Sequence, residues 1–86
     1  MESYKPYNIQ GGIRPECLKN AREWTAPTGD EIKTALAMAS CSGVEFAKRI
    51  HTNDRTVRRW IGDELNIPYA AWCILCFEAN LGTIWR

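Results

Sequence analysis

The 86-residue sequence lacks the residue patterns that mark most enzymes and ligand-binding proteins. It contains one histidine, His51, with no plausible nucleophile near it in sequence, and it has no glycine-rich phosphate loop. Because no catalytic constellation is recognisable, we expect no enzymatic activity, no cofactor and no small-molecule ligand.

Long apolar runs are also missing. The longest, residues 67–77, is too short to span a bilayer, and the first residues contain no apolar signal region. We therefore expect a cytoplasmic protein with no membrane contact. There, the four cysteines are expected to be reduced thiols; the alternative is the disulfide framework typical of small secreted chains. These are Cys17, Cys41, Cys73 and Cys76.

A large net charge is absent as well, because the formal charge is only +1. Positive charge is instead concentrated in residues 48–60, where five basic residues outnumber one aspartate and give +4. The flanking blocks 25–47 and 61–86 each contain one basic and three acidic residues. Such a local basic patch is what a DNA-facing helix needs, although a solvated helix face has the same composition.

The apolar content of 45% and charged content of 24% are ordinary for one small globular domain with a modest core. Apolar periodicity and capping residues predict an all-α fold of four to five helices. The helices are expected at about 15–23, 29–39, 43–50, 54–61 and 68–79. Short strands are expected at 7–10 and around Ile84 and Trp85.

Two of these helices, 43–50 and 54–61, are separated by a turn of three residues. Ala47 is small enough for the two helices to cross closely. His51 occupies a turn position that usually needs a positive φ, and histidine tolerates that conformation better than most residues. This spacing predicts a helix-turn-helix. The apolar side chains expected to seal it against the first helix are Phe46, Ile50, Val57 and Trp60.

Residues 42–62, SGVEFAKRIHTNDRTVRRWIG, resemble the helix-turn-helix of the phage-repressor family, the lambda-repressor-like or XRE/Cro class. The likeness continues into residues 67–75, IPYAAWCIL, and covers about residues 28–79. It implies a small transcriptional regulator of phage or mobile-element type, a repressor more often than an activator. It also implies a homodimer on palindromic double-stranded DNA. The implied division is an N-terminal arm with a short helix (1–27), a DNA-binding domain (28–79) and a tail (80–86) within one compact domain.

The resemblance also implies which residues contact DNA. Residues at the start of the recognition helix and one turn later reach base edges, where arginine binds guanine and aspartate accepts from cytosine. These base-contacting residues are Asp54, Arg55 and Arg59. The implied phosphate contacts are Ser42, Gly43, Asn53, Thr56 and Arg58. Gly43 stands where the family often has glutamine, so only its N–H is expected to contribute. Lys48 and Arg49 are expected to be peripheral.

The remaining motifs have structural interpretations. Cys73 and Cys76 form a C-x-x-C inside an apolar helix, so buried thiols are favoured over a zinc or redox site. Trp60 and Trp72 fall at core spacings. Trp85 is expected to form an exposed apolar cluster, with Tyr4 or Tyr7 or across a dimer, which marks an interface. The alternative function is a protein-binding adaptor or inhibitor of a mobile element that reuses the helical fold.

Overall fold

The structure, a computed structural model, describes residues 12–86. It confirms the all-α fold with four α-helices and one short 3-10 helix. The α-helices are α1 (Gly29–Met38), α2 (Gly43–Arg49), α3 (Asp54–Ile61) and α4 (Tyr69–Glu78), and the 3-10 helix is Pro15–Leu18. Residues 12–86 contain no β-strand.

Two predicted elements at the ends of the chain are wrong. The helix expected over 15–23 stops after one 3-10 turn, because Asn20 Oδ1 accepts a hydrogen bond from the Arg22 N–H and stabilises a turn instead. Ile84 and Trp85 lie in a turn rather than a strand. The strand predicted at 7–10 lies outside the described residues.

The predicted capping boxes at the starts of α1 and α2 are confirmed. Thr28 Oγ1 accepts from the Glu31 N–H at 3.3 Å, and the Thr28 N–H donates to Glu31 Oε1 at 2.7 Å. Ser42 and Glu45 make the same exchange at 3.0 and 2.9 Å. Two N–H groups that the helix leaves unpaired are thus satisfied at each start.

All four α-helices end in the same way, with a residue of positive φ directly after the C-cap: Ser40, His51, Asp63 and Asn80. The N–H groups of that residue and the next donate back to carbonyls of the last helical turn, as in a Schellman motif. The prediction for His51 is confirmed by its φ of 59°. Gly62, expected at this position after α3, is the C-cap with a φ of −84°, and Asp63 takes the left-handed conformation.

The core lies between the helices and includes the flanking segments. Trp60 and Trp72 are buried as predicted, and the Trp72 indole N–H donates to the Cys17 carbonyl at 2.6 Å. Ile13 before the helices and Ile84 after them are also buried. The segments on either side of residues 28–79 therefore complete the core.

Gly29 allows the start of α1 to approach the end of α3. A Cβ at this position would lie 1.8 Å from the Ile61 carbonyl oxygen, so no other residue fits without a backbone shift. The Gly29 N–H donates to Asp63 Oδ1 at 2.7 Å. These contacts fix the segment that follows α3 against α1.

Glu31 joins the N-terminal segment to α1 and is the one buried charged residue among residues 12–86. Besides capping α1, its carboxylate accepts from the Arg14 backbone N–H and from the guanidinium Nε and Nη2, each at 2.9 Å. Burial by itself raises the pKa of Glu31. The hydrogen bonds from Arg14 and Thr28 outweigh burial and lower the pKa to about 2.

Candidate nucleic-acid interface

The central part of the structure is a helix-turn-helix made of α2, residues 50–53 and α3. Phe46 and Ala47 of α2 and Val57 and Trp60 of α3 are buried, as predicted, whereas Ile50 is only half-buried against the core. A Cβ at Gly43 would lie 3.4 Å from Val57 Cγ1, so the start of α2 also packs against α3. This packing leaves the opposite face of α3 exposed to solvent.

The exposed face of α3 brings three predicted contact residues together. Arg55, Arg58 and Arg59 line one shallow recess, and Glu64 from the segment after α3 completes its edge. Arg55 forms no ion pair with any residue in 12–86. The recess thus presents three guanidinium groups on the exposed face of α3.

A second polar recess lies at the turn, lined by Lys48, His51, Thr52 and Asn53. Asn53 caps α3, because its Oδ1 accepts from the Thr56 N–H and from the Thr56 hydroxyl, both at 2.8 Å. The capping leaves the Asn53 amide nitrogen available as a donor. Lys48, which the sequence analysis treated as peripheral, therefore lies beside a predicted phosphate contact.

Ion pairs reduce the positive charge that the sequence places in residues 48–60. Arg49 Nη1 contacts Glu78 Oε1 at 2.9 Å and joins α2 to α4. Arg58 pairs with Asp54 at 3.2 Å within α3, and Arg59 Nε lies 3.5 Å from Glu64 Oε1. Five cations thus face three carboxylates in space, a local charge of +2 rather than +4.

The start of α2 differs from the other predicted phosphate contacts because it contains a carboxylate. Ser42 is exposed, but its hydroxyl oxygen and its N–H are both engaged by Glu45. The pKa of Glu45 is lowered by its hydrogen bonds with the Ser42 backbone and side chain, which keeps the carboxylate ionised. A negative charge thus lies next to Ser42 and Gly43, where the sequence analysis placed a phosphate.

The four cysteines lie in or against the core of residues 12–86. All four cysteines are free thiols, and Cys73 and Cys76 are buried in α4, as predicted. Burial raises the pKa of Cys17 to about 11 and that of Cys76 to about 12, which keeps both protonated. No three His, Cys, Asp or Glu side chains within residues 12–86 are placed to hold a metal ion.

An apolar surface lies on the outer side of α4. Tyr69, Ala70, Cys73, Ile74 and Trp85 line a shallow groove, and Ile74 and Trp85 are 45% and 48% exposed. The predicted exposure of Trp85 is confirmed, whereas its suggested partners Tyr4 and Tyr7 lie outside the described residues. None of the helices within residues 12–86 combines the length and apolar character needed to cross a membrane.

Comparison with known proteins identifies two relatives in Escherichia coli, both named transcriptional repressor protein KorC. They are 47% and 48% identical to this chain over 77 residues, and each alignment covers 86% of this chain and 91% of the relative. The chain belongs to the KorC family of transcriptional repressors. This membership confirms the predicted class of protein, a DNA-binding transcriptional repressor. No protein-family model matches the sequence, and no solved structure matches it.

Proposed function

We propose that this protein represses transcription by binding double-stranded DNA sequence-specifically, with α3 in the major groove, in the manner of phage-repressor helix-turn-helix proteins. The observation that supports this most directly is the recess lined by Arg55, Arg58 and Arg59 on the exposed face of the second helix of the motif. The relatives are named transcriptional repressors. A protein with such a surface would repress transcription by occupying the DNA.

Base reading is assigned to three residues of α3. Arg55 at the start of the helix is unpaired within residues 12–86 and is available to bind guanine O6 and N7. Arg59 lies one turn later on the same face. Asp54 at the first helical position would accept from a cytosine amino group. The Asp54–Arg58 ion pair must then open or shift when DNA binds.

Phosphate contacts are assigned to the residues that border this face. Asn53, Thr56 and Arg58 flank the base-reading positions, and Lys48 joins them because it lines the same recess as Asn53. Ser42 and the Gly43 N–H would contact a phosphate at the start of α2, against the repulsion of Glu45. Such contacts fix the orientation of α3 on the duplex without reading sequence.

We assign DNA binding to residues 28–79 and a supporting role to residues 1–27 and 80–86 in one domain. Repression by occupancy requires binding and no chemistry on the DNA, so no catalytic or metal site is assigned. The cytoplasm is the compartment in which a bacterial repressor meets its operator, and we place the protein there.

We further propose that the protein acts as a homodimer through the apolar groove of α4. Ile74 and Trp85 are large apolar side chains exposed on one surface, a pattern typical of interfaces. Sedimentation of the wild-type chain and of Ile74→Asp is the test. We expect a dimer for the wild type and a folded monomer for the variant. If both proteins sediment as dimers, the contact lies elsewhere; if both sediment as monomers, the proposed homodimer is wrong.

The proposed DNA contacts are tested by selecting duplexes from a random pool and measuring affinities for the enriched sequence. Arg55→Ala should lower that affinity about tenfold to a hundredfold, the loss expected for one bidentate guanine contact. Arg22→Ala removes the same charge from an exposed turn and serves as the control, with a change of about twofold or less.

Two outcomes would contradict this assignment. An Arg55→Ala/Arg59→Ala double variant that still protects the same footprint would show that α3 is not the reading helix. Absence of any enriched sequence at moderate salt would favour the alternative, a protein-binding adaptor whose main surface is the apolar groove of α4.

A further inference from the structure

We infer that Glu64 is a positioning residue for base reading: its carboxylate lies beside Nε of the Arg59 guanidinium, so that the two terminal nitrogens are left to bind guanine. This inference rests on the proposed function, since it assumes that Arg59 faces base edges. Glu64 lies outside α3 and outside the basic block of residues 48–60. Its role depends on where the chain turns after the helix.

The backbone brings Glu64 back beside Arg59. The Glu64 N–H donates to the Arg59 carbonyl at 2.9 Å, and the Asp63 N–H donates to the Trp60 carbonyl at 3.2 Å. These are the two hydrogen bonds of the Schellman motif that ends α3. The Glu64 side chain therefore begins just beyond the last turn of α3, on a backbone whose conformation these two hydrogen bonds fix.

The same segment is fixed from its other side. Asp63 Oδ1 accepts from the Gly29 N–H at 2.7 Å, which joins it to the start of α1. Gly29 leaves no room for a side chain against the Ile61 carbonyl, so this contact is close and specific. Glu64 is therefore presented to α3 by a segment attached to the core, rather than by a free loop.

The atoms in contact distinguish Arg59 from Arg58. Glu64 Oε1 lies 3.5 Å from Nε of Arg59, whereas Asp54 Oδ2 lies 3.2 Å from the terminal Nη1 of Arg58. A carboxylate at Nε leaves both terminal nitrogens for the O6 and N7 acceptors of one guanine. A carboxylate at Nη1 occupies one of them, which suits Arg58 to a phosphate contact instead.

The energetics favour a role in specificity over one in affinity. Both side chains are substantially exposed, 47% for Arg59 and 65% for Glu64, so the ion pair contributes little to folding. A carboxylate near DNA also repels phosphates and weakens binding to every sequence. Its benefit is that Arg59 loses less side-chain freedom when it meets the correct base.

The test compares Glu64→Ala with Glu64→Gln in the full chain. Both substitutions remove the charge, but glutamine keeps a side chain of the same length with an oxygen in the place beside Arg59 Nε. The probes are the duplex enriched from the random pool, a scrambled duplex, and the enriched duplex with 7-deazaguanine at single guanines. Affinity for each probe is measured at one fixed salt concentration, because DNA affinities depend steeply on salt.

Both variants should bind the scrambled duplex about twofold more tightly than the wild type, because both lose a charge that repels phosphates. Only Glu64→Ala should lower the ratio of specific to scrambled affinity, by about fivefold, which corresponds to ordering one arginine side chain. It should also lose sensitivity to 7-deazaguanine at the guanine that Arg59→Ala identifies. When Arg59→Ala is also present, Glu64→Ala and Glu64→Gln should have the same ratio of specific to scrambled affinity.

Equal specificity ratios for Glu64→Ala and Glu64→Gln would overturn the positioning role while leaving the proposed function intact. If Arg59→Ala instead responds to every 7-deazaguanine duplex as the wild type does, Arg59 does not belong to the base-reading residues. Failure of the selection to enrich any duplex would overturn the proposed function and this inference together.

Discussion

The two capping boxes have the same sequence signature and opposite surroundings. Thr28–Glu31 and Ser42–Glu45 form the same pair of hydrogen bonds at the starts of α1 and α2. Glu31, however, is 5% exposed and also binds Arg14, whereas Glu45 is exposed at the edge of the candidate DNA surface. The local motif therefore decides where a helix begins, and the tertiary structure decides what else its carboxylate does.

The difference arises because the two carboxylates lose different amounts of hydration on folding. Glu31 loses its hydration on folding and is stable as an anion only because Arg14 and Thr28 supply four N–H donors. Glu45 keeps most of its hydration, so water already stabilises its charge and the fold does not depend on a second partner for it. One carboxylate is consequently a requirement of the fold, and the other is free to affect what binds at the surface.

The largest expected effect is on stability. Glu31→Gln should lower the free energy of unfolding by about 2 kcal/mol, because it weakens the capping bond and removes the nearer of the two carboxylates that pair with Arg14. The value is below that for a fully buried pair, since the Arg14 side chain is 40% exposed. Urea unfolding followed by tryptophan fluorescence provides the measurement. Glu45→Gln is the matched control with a smaller loss, and equal losses would contradict the distinction.

The next effect is on the acid stability of the fold. The folded-state pKa of Glu31, about 2, lies below its ordinary value of 4.5, so its ionised form stabilises the fold at higher pH. That contribution is complete above pH 4.5 and is lost as the pH falls towards 2. The difference in urea midpoint between wild type and Glu31→Gln should therefore shrink over this range. A difference that stays constant from pH 5 to pH 2 would exclude Glu31 as the responsible group.

The smallest expected effect concerns DNA binding. Glu45→Gln should raise affinity for specific and scrambled duplexes alike by about twofold, because it removes a carboxylate beside the proposed phosphate contacts of α2. Glu31→Gln, measured under conditions in which it is folded, should leave DNA affinity unchanged. Fluorescence anisotropy with labelled duplexes distinguishes the two. An unchanged affinity for Glu45→Gln would mean that the start of α2 lies away from the phosphates.

Most of the helical framework could be predicted because its signals are local. The bounds of α3 were predicted as observed, since Asn53 caps its start and its buried and exposed residues alternate with helical period. The helix expected over 15–23 failed because one side chain, Asn20, competes for the backbone. The left-handed residue that follows α3 was misassigned by one position, because aspartate can adopt the conformation that was expected of Gly62.

The candidate site was only partly predictable. The three arginines of α3 follow from helical spacing, and the structure brings them to one recess. The ion pairs that basic residues form outside their own helix, Arg59 with Glu64 and Arg49 of α2 with Glu78 of α4, depend on how helices pack and on where the chain turns. The charge of the surface could therefore not be obtained by counting residues along one segment.

The sequence by itself determined the helix-turn-helix, since the capping residues, the turn histidine and the apolar spacing act over a few neighbouring positions. It also determined that the positive charge is concentrated in residues 48–60, at the end of α2 and on α3. Only the tertiary structure decided that Glu31 is buried against Arg14, 17 residues away, and that Glu64 reaches Arg59. The first contact arises from the packing of distant segments, and the second from the direction of the backbone after α3, so burial and backbone direction assign each charged side chain its partner.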